Sequence, residues 1–560
     1  MFLLLTMLQI HAFYIGMYIR TIKRKNKDGS TVEYVQLAHN VWNKEKGFAQ
    51  AQVIHSFGRR EDLNIDGLRR LVKSLSRFLD PEDVIGIEYQ YDDLKFTSSK
   101  AAGGAYLMRA LWKKLNIDQC LDKMLSERSF EAPVKEAIFA MIANRALSPS
   151  SKLAIEQWAA EDVWLGNEEP LQVQHFYRAM DFLLEHVEQI QETVFWSTAN
   201  LLNLTVDLIF FDTTNTYFET DESGTSELKA YGKSKHKRED LPQVTIGLAV
   251  TREGIPVRCW VLPGNQHDSQ CVDQVQKDLN DWNLGRVVWA MDRGMTSEAN
   301  KRVLQRAGGQ YILGEKLTGN HLNEKALSQP GRFKVVTDNL HIKEVFAGEG
   351  TGKTRYVIAC NPEEAKLDRI NRERTLERLE CELNILNGKG KTKSQCKVLL
   401  HQSMGRYVKE LKSGKLKIDL AKVKQQEKLD GKYLLSTSDS HLTAEDIALG
   451  YKQLMEVERA FRTMKSTLSL RPVYHPQDDR IRSHVLLCWL ALLMIRIAEV
   501  EIGTTWPRIR SEMQRLHLID FFDKNGRILQ HTETTPNQRK ILKKLSIKPP
   551  KRVLKVELSA

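Results

Sequence analysis

Between residues 207 and 315 the runs DLIFFD, VTIGLAV, PVRCWVLPG, RVVWAMD and QYILGE are apolar and β-prone. Helical patterns intervene only after the third, at SQCVDQVQKDLNDW and TSEANKRVLQRAG. Three early strands, then helix, strand, helix, strand is the order of an α/β sheet with part of it antiparallel. No other feature of the chain limits its fold so strongly. Around this core the pattern changes. From Met17 to about Gly58, YIRTI, TVEYVQLA and AQVIHSFG alternate with turn signals such as Lys-Asp-Gly at 27–29, which predicts a small sheet. Residues 101–202 turn helical, with periodic apolar positions in AYLMRALWKKL, VKEAIFAMIANRAL and MDFLLEHVEQIQETVFWSTANLL. That is the natural place for a helical DNA-binding module, and a scaffold without DNA contact would show the same pattern.

The stretch 321–429 interrupts the sheet with FKVVT, LHIKEVF and RYVIAC, then with charged helices from Pro362, before a strand-like KYLLS at 432–436. Such helices are usually solvated arms, so the block is read as an insertion. Leu376, Leu379, Leu383 and Leu386 repeat at heptad-like spacing and could pair within the chain or with a second subunit.

Composition enters as a bound. With 42% hydrophobic residues in 560, the chain can bury several cores and is neither a disordered tail nor a low-complexity protein. Lys plus Arg is 83 against 71 for Asp plus Glu, a net +12 that points to a polyanionic partner, nucleic acid first and an anionic membrane surface second. The seven cysteines make no CxxC pair, so neither a zinc site nor a disulfide framework is signalled, and a reducing cytoplasm fits. The apolar start, MFLLLTMLQIHAFYIGMYIR, lacks a basic n-region and a small-residue cleavage site and is a poor membrane span. Residues 1–16 are read as an upstream in-frame extension, with Met17 as the start of the first domain.

Asp212 closes the apolar run LIFF, and Asp292, 80 residues on, closes VVWAM ahead of Arg293-Gly294. The carboxyl ends of strands are where α/β sheets present functional groups, although a lone Asp there is more often a cap or turn former. The third element is ALGYKQLMEVERAFRTMKSTL. Val457, Phe461, Met464 and Leu468 form an apolar stripe. Taken as one helix, Tyr451, Leu454, Glu458 and Lys465 fall within an arc of roughly 60° beside it. Spacing alone fits equally an ordinary amphipathic helix with a solvated edge. Glu456, two residues from Glu458, points the other way around the helix. Three carboxylates without a His or Cys cluster are hard oxygen ligands suited to Mg²⁺ or Mn²⁺. Two such ions serve an in-line displacement at phosphorus.

FFDTTNTYFE, GKSKHKREDLPQVTIGL, AMDRGM and YKQLMEVERAFRTMKSTLSLRPVYH, in this order, resemble the DDE transposases of bacterial insertion sequences. The likeness is to the IS-four-like group, marked by tyrosine, two residues, arginine, three residues, glutamate, six residues, lysine. It covers most of the chain from Met17 to about residue 500. The resemblance implies an RNase H-like mixed-sheet α/β catalytic core, with an insertion between the second Asp and the Glu; here that gap is 166 residues. It implies Asp212, Asp292 and Glu458 as catalytic, metal-binding residues for Mg²⁺, with Mn²⁺ substituting. Tyr451 and Lys465 become contacts to the DNA end. Leu454 stands where the signature has arginine, and Arg462, one turn beyond Glu458, could compensate.

Lys229, Lys233, Lys235, Lys237 and Arg238 follow the first Asp closely. They form a second phosphate-binding surface, a reading favoured over mere solvation by the triad beside it. His236 and His267 are read as polar loop residues. The basic tail, with Arg539, Lys540, Lys543, Lys544, Lys548, Lys551, Arg552 and Lys555, could also touch phosphate.

The organisation expected is a β-rich N-terminal region at 17–100, a helical DNA-binding region at 101–202, and catalytic core at 203–320 and 430–500. The insertion occupies 321–429 between the two core segments, and a basic region fills 501–560. The function expected is a cytoplasmic, nucleoid-associated transposase without a membrane anchor. It would bind its element's terminal inverted repeats and join the cleaved ends to target DNA, as a homodimer in the synaptic complex. The alternatives are an RNase H-like nuclease without strand transfer and an inactive, transposase-derived DNA-binding protein.

Overall fold

The alternation in YIRTI and TVEYVQLA produces two paired strands and a third. β1 (Met17–Lys25) pairs antiparallel with β2 (Thr31–Asn43) from Met17↔His39 to Lys25↔Thr31, and β2 pairs with β3 (Phe48–Arg59). Helix α1 (Ile65–Ser76) follows, its first turn capped by the Asn64 side chain, which accepts from Gly67 N. The computed structural model describes residues 16–558 apart from 27–28, 44–45, 80–94, 127–131, 168, 205, 220–225, 236–237, 283, 285–286, 349–352, 389–400, 402, 472, 474, 476 and 524–525. Residues 1–15 of the expected extension, His236 and Lys237 lie outside the described residues. The chain forms two compact units. The first comprises 1–97, 520–530 and 552–560, the second 98–519 and 531–551. Within the first unit, Gly526, Arg527, Ile528 and Leu529 pair antiparallel with Leu558, Glu557, Val556 and Lys555.

The second unit begins within β4 (Lys95–Ala101) and continues, among the described residues, with the α-helices α2 (Gly103–Lys114), α3 (Ile117–Leu125), α4 (Val134–Leu147), α5 (Lys152–Gln157), α6 (Val173–Glu185) and α7 (Val187–Leu202). Helix α4 is buried from Ala137 through Leu147. A helix apolar all round belongs inside a core rather than on a surface.

The sheet that follows takes in β5 (Leu208–Tyr217), β6 (Gln243–Val250), β7 (Pro256–Pro263), β8 (Val288–Met291), β9 (Gln310–Glu315), β10 (Lys334–Thr337), β11 (Leu340–Ala347) and β12 (Thr354–Cys360). Two helices, α8 (Asp268–Asn280) and α9 (Glu298–Gln305), make the crossovers into β8 and β9. After α10 (His321–Ser328) and α11 (Pro362–Gly388) come the short β13 (Val408–Glu410) and β14 (Leu416–Ile418), then α12 (Leu420–Glu427) and β15 (Lys432–Thr437). The nine-stranded order is β10-β11-β12-β15-β9-β8-β5-β6-β7. Strands β5, β8 and β9 run parallel at its centre, with antiparallel strands on both sides. This is the mixed α/β sheet that the strand order predicts. The strands of 334–360 extend it through β15 rather than standing apart from it. Leu379, Leu383 and Leu386 of α11 are buried against Tyr407, Val408, Leu416 and Val423, so the leucine repeat pairs within the chain.

Side-chain alternation divides the central strands between two cores. Leu208 and Phe210 of β5 and Val288 and Ala290 of β8 join one, whereas Ile209, Phe211, Trp289 and Met291 join the other with α8. The first core is shared with α13 (Ala444–Lys452), α14 (Met455–Arg462) and the long α15 (Asp478–Ile502), which packs on α4, α6 and β7. Among the described residues no helix is long and apolar enough to cross a membrane, and Cys120, Cys259, Cys271, Cys360, Cys381 and Cys488 are free thiols.

Candidate active site

Asp212 and Asp292 are brought together by register. Phe211 pairs with Met291 in the parallel β5–β8 ladder, so an aspartate follows each. Asp292 lies just past the end of β8, as expected. Asp212 lies within β5, which does not close there but runs on to Tyr217 because Asp212–Tyr217 stay paired with β6. Parallel neighbours lie about 4.8 Å apart. Alternation turns both aspartates to the face carrying Phe210 and Ala290, which α14 covers. Asp212 is the more buried, and burial pushes its carboxyl above the usual range while the Lys235 ammonium pulls it back. Asp292 is exposed at the turn into Arg293–Met295.

The helix expected to be continuous through 448–468 is broken. Helix α13 ends at Lys452 and α14 starts at Met455. At the junction Leu454 N donates to Tyr451 O and Glu456 N to Gln453 O, three residues back, which winds the chain tighter than an α-helix. Beyond Arg462 the chain widens into a π-turn over Thr463–Thr467, where Leu468 N reaches Thr463 O. The 60° arc predicted for Tyr451, Leu454, Glu458 and Lys465 therefore does not describe them, since it requires a uniform 100° per residue.

Tyr451, on the last turn of α13, donates its hydroxyl to Asp292 Oδ1 at 3.0 Å and stacks on Tyr433 at 6.1 Å between centroids. Burial and the Asp292 charge push the phenol far above its ordinary range, so it remains a donor. Space for it comes from Gly314 on β9, where a Cβ would overlap the Tyr451 hydroxyl. Leu454 is partly buried against the main core, so it packs rather than binds. Glu458 is exposed on α14, whose other face buries Val457, Ala460 and Phe461 over β5 and β6. Glu456 is held elsewhere, 2.8 Å from the Arg496 guanidinium, which also pairs with Glu499 at 2.7 Å. Lys465 reaches Thr214 Oγ1, two residues along β5 from Asp212. Burial, with Arg471 and Lys235 nearby, lowers its amine to about 8.

The second basic cluster divides. The Lys235 ammonium lies 3.4 Å from Asp212 Oδ1 and 3.7 Å from Asp268 Oδ2. Lys233 is exposed and lines a cleft of about 400 Å³ with Asn215, Lys235, His267 and Asp268. Lys229 is buried, its amine 5.7 Å from the Phe218 ring centroid. Arg238 pairs with Asp240 at 3.0 Å and lies over Tyr217, with Arg471 also 5.8 Å from that ring. Arg462 is exposed. Asp268, Thr213 and Arg471 are site neighbours that local sequence pattern does not single out. Asp268 reads locally as an ordinary acidic residue in the first turn of a helix.

Among the described residues no three His, Cys, Asp or Glu side chains close on one point as a metal cage. The donors present are nonetheless hard carboxylate oxygens, and a cation already sits against Asp212 in the form of the Lys235 ammonium. In type and in placement beside one face of β5 they fit a hard divalent ion.

Residues 207–494 match the family model described as Transposase DDE domain, and residues 19–83 match the IS1634 family transposase, N-terminal domain. No curated protein matches the chain. Among solved structures, the chain is similar to a piggyBac transposase synaptic complex with hairpin DNA, determined by cryo-EM, at 9% identity and a TM-score of 0.35, over 73% of this chain and 79% of that one. The Transposase DDE domain match spans more than half of the chain and includes Asp212, Asp292 and Glu458, so the chain belongs to the DDE transposases of insertion sequences, enzymes that cleave DNA and transfer its strands.

Proposed function

We propose that Asp212, Asp292 and Glu458 are the catalytic carboxylates of this transposase, on a core of RNase H-like topology. The observation that carries the reading is the pair of aspartates side by side, Asp212 midway along β5 and Asp292 just past the end of β8, with the helix that bears Glu458 packed on β5. These three would hold Mg²⁺, or Mn²⁺ in its place, and the bound ion supplies activation of the attacking oxygen and neutralisation of the leaving one. Tyr451 keeps the Asp292 carboxylate oriented. Lys465, Lys233, Lys235, Arg238, Arg462 and Arg471 bind phosphates of the DNA end, Lys465 nearest the reacting strand because it lies against β5 beside Asp212. The spacing from Tyr451 through Glu458 to Lys465 supports the IS-four-like subgroup. The substrate is the element's terminal inverted repeats, brought together with target DNA by a homodimer in the bacterial cytoplasm.

The test is incubation with DNA carrying the inverted repeats that flank the gene, in Mg²⁺. Asp212→Ala, Asp292→Ala and Glu458→Ala should each abolish cleavage and joining while end binding persists. Variants that lose specific binding instead, or that still cleave, would overturn these roles.

A further inference from the structure

Lys235 stands in an unusual shell for a surface lysine. Its ammonium is 2.6 Å from Thr213 O, 3.2 Å from Thr213 Oγ1, 3.4 Å from Asp212 Oδ1 and 3.7 Å from Asp268 Oδ2. The loop that delivers it is fixed at its base. Ala230 and Gln243 exchange backbone hydrogen bonds, Gly264 N donates to Leu228 O, and at Gly232 and Gly264 the backbones approach too closely for a Cβ. Asp268 is held in turn, because the Thr213 hydroxyl donates to it and it occupies the first turn of α8, where the helix dipole favours a negative charge. Two carboxylates, a carbonyl and a hydroxyl around one positive charge are the surroundings of a cation site, with the cation tethered to the chain.

We propose that the Lys235 ammonium is an internal counter-cation of Asp212, anchored by Asp268 and Thr213, and that loading a divalent ion on Asp212 requires Lys235 to leave that carboxylate. The proposal rests on Asp212 being a metal ligand. Mg²⁺ bonds its oxygen ligands at about 2.0–2.1 Å. Two cations on the same small carboxylate repel strongly. Once displaced, the lysine would have a DNA phosphate as its new partner, which links metal loading to occupancy of the DNA groove.

Titration of the full-length, DNA-free protein with Mn²⁺ alone, followed by calorimetry and by the EPR signal of free Mn²⁺, tests this. Lys235→Met should bind Mn²⁺ about tenfold tighter or more, whereas Lys235→Arg, which keeps the charge, should stay close to the parent. Asp212→Asn should weaken binding by a similar factor. The rise in melting temperature on adding Mn²⁺ should be larger for Lys235→Met than for the parent, which separates tighter binding from a folding defect. If Lys235→Met binds Mn²⁺ no better while Asp212→Asn loses it, the counter-cation role is wrong and Asp212 remains a ligand. If Asp212→Asn binds as the parent does, both fail.

Discussion

The Tyr451 hydroxyl is placed to act through its neighbour in the proposed site. It is bonded to Asp292, and Gly314 makes the space. Tyr451→Phe should lower the cleavage rate about tenfold while end binding changes little, at a stability cost of about 1 kcal/mol by thermal unfolding. Lys465 has a pH signature. Burial lowers its amine to about 8, so it is charged below that pH and loses its charge as pH rises through it. Affinity for terminal DNA, read by fluorescence anisotropy, should therefore fall above about pH 8, and Lys465→Arg should flatten the curve, since arginine stays charged. Lys152 carries the opposite consequence for stability. It is buried, with its amine lowered to about 7, chiefly by burial and next by Arg145. A base whose folded value lies below its unfolded one costs stability fully below the folded value, and the cost fades as pH rises toward the unfolded value. Lys152→Met should stabilise the protein by roughly 2–4 kcal/mol near neutral pH, and the gain should shrink toward pH 10 in denaturant titrations.

At the scale of elements, α14 is positioned from below by packing and from behind by charge. Val457, Ala460 and Phe461 seat it on the sheet, and Glu456 ties it to Arg496 on α15, a guanidinium 3% exposed. Removing one partner of a buried pair leaves the other uncompensated. Arg496→Met should cost about 3–5 kcal/mol by chemical denaturation, with cleavage falling further than DNA binding because the helix carrying Glu458 shifts. The apolar stripe of this segment and the side to which Glu456 points are legible from spacing, because both depend on residues within a turn or two. The break at Gln453–Leu454 is not. It is made by tightened bonds at the junction and by Leu454 packing into a core assembled from distant segments.

Across the whole molecule, part of the basic excess is gathered at one place in the second unit. Lys233, Lys235, Arg238, Lys465 and Arg471 gather along β5 from Asp212 to Tyr217, whereas Lys229 is buried and Arg238 is partly neutralised by Asp240. Each cation that neutralises a DNA phosphate adds about 0.9 to the steepness of log affinity against log salt. Lys233→Ala and Arg471→Ala should each flatten that line by about 0.9, measured on terminal DNA. The sheet has a comparable lesson. Its nine strands are drawn from residues 208–437, and the pieces read as an insertion continue it through β15. An edge strand's partner is set by the whole assembled sheet, which no local pattern records.

The amino-acid sequence by itself determined the central strands, Asp292 at the carboxyl end of one of them and the apolar face of the Glu458 helix, since period-2 and helical patterns act over a few residues. Only the tertiary structure decided what those groups touch. Tyr451 meets Asp292 across 159 residues, Lys465 meets Thr214 across 251, and Lys235 sits between Asp212 and an Asp268 that looks locally like a helix-start residue. The physical reason is that charge and hydrogen bonding act through distances in space, and those distances are set by how the sheet registers and which helix covers it.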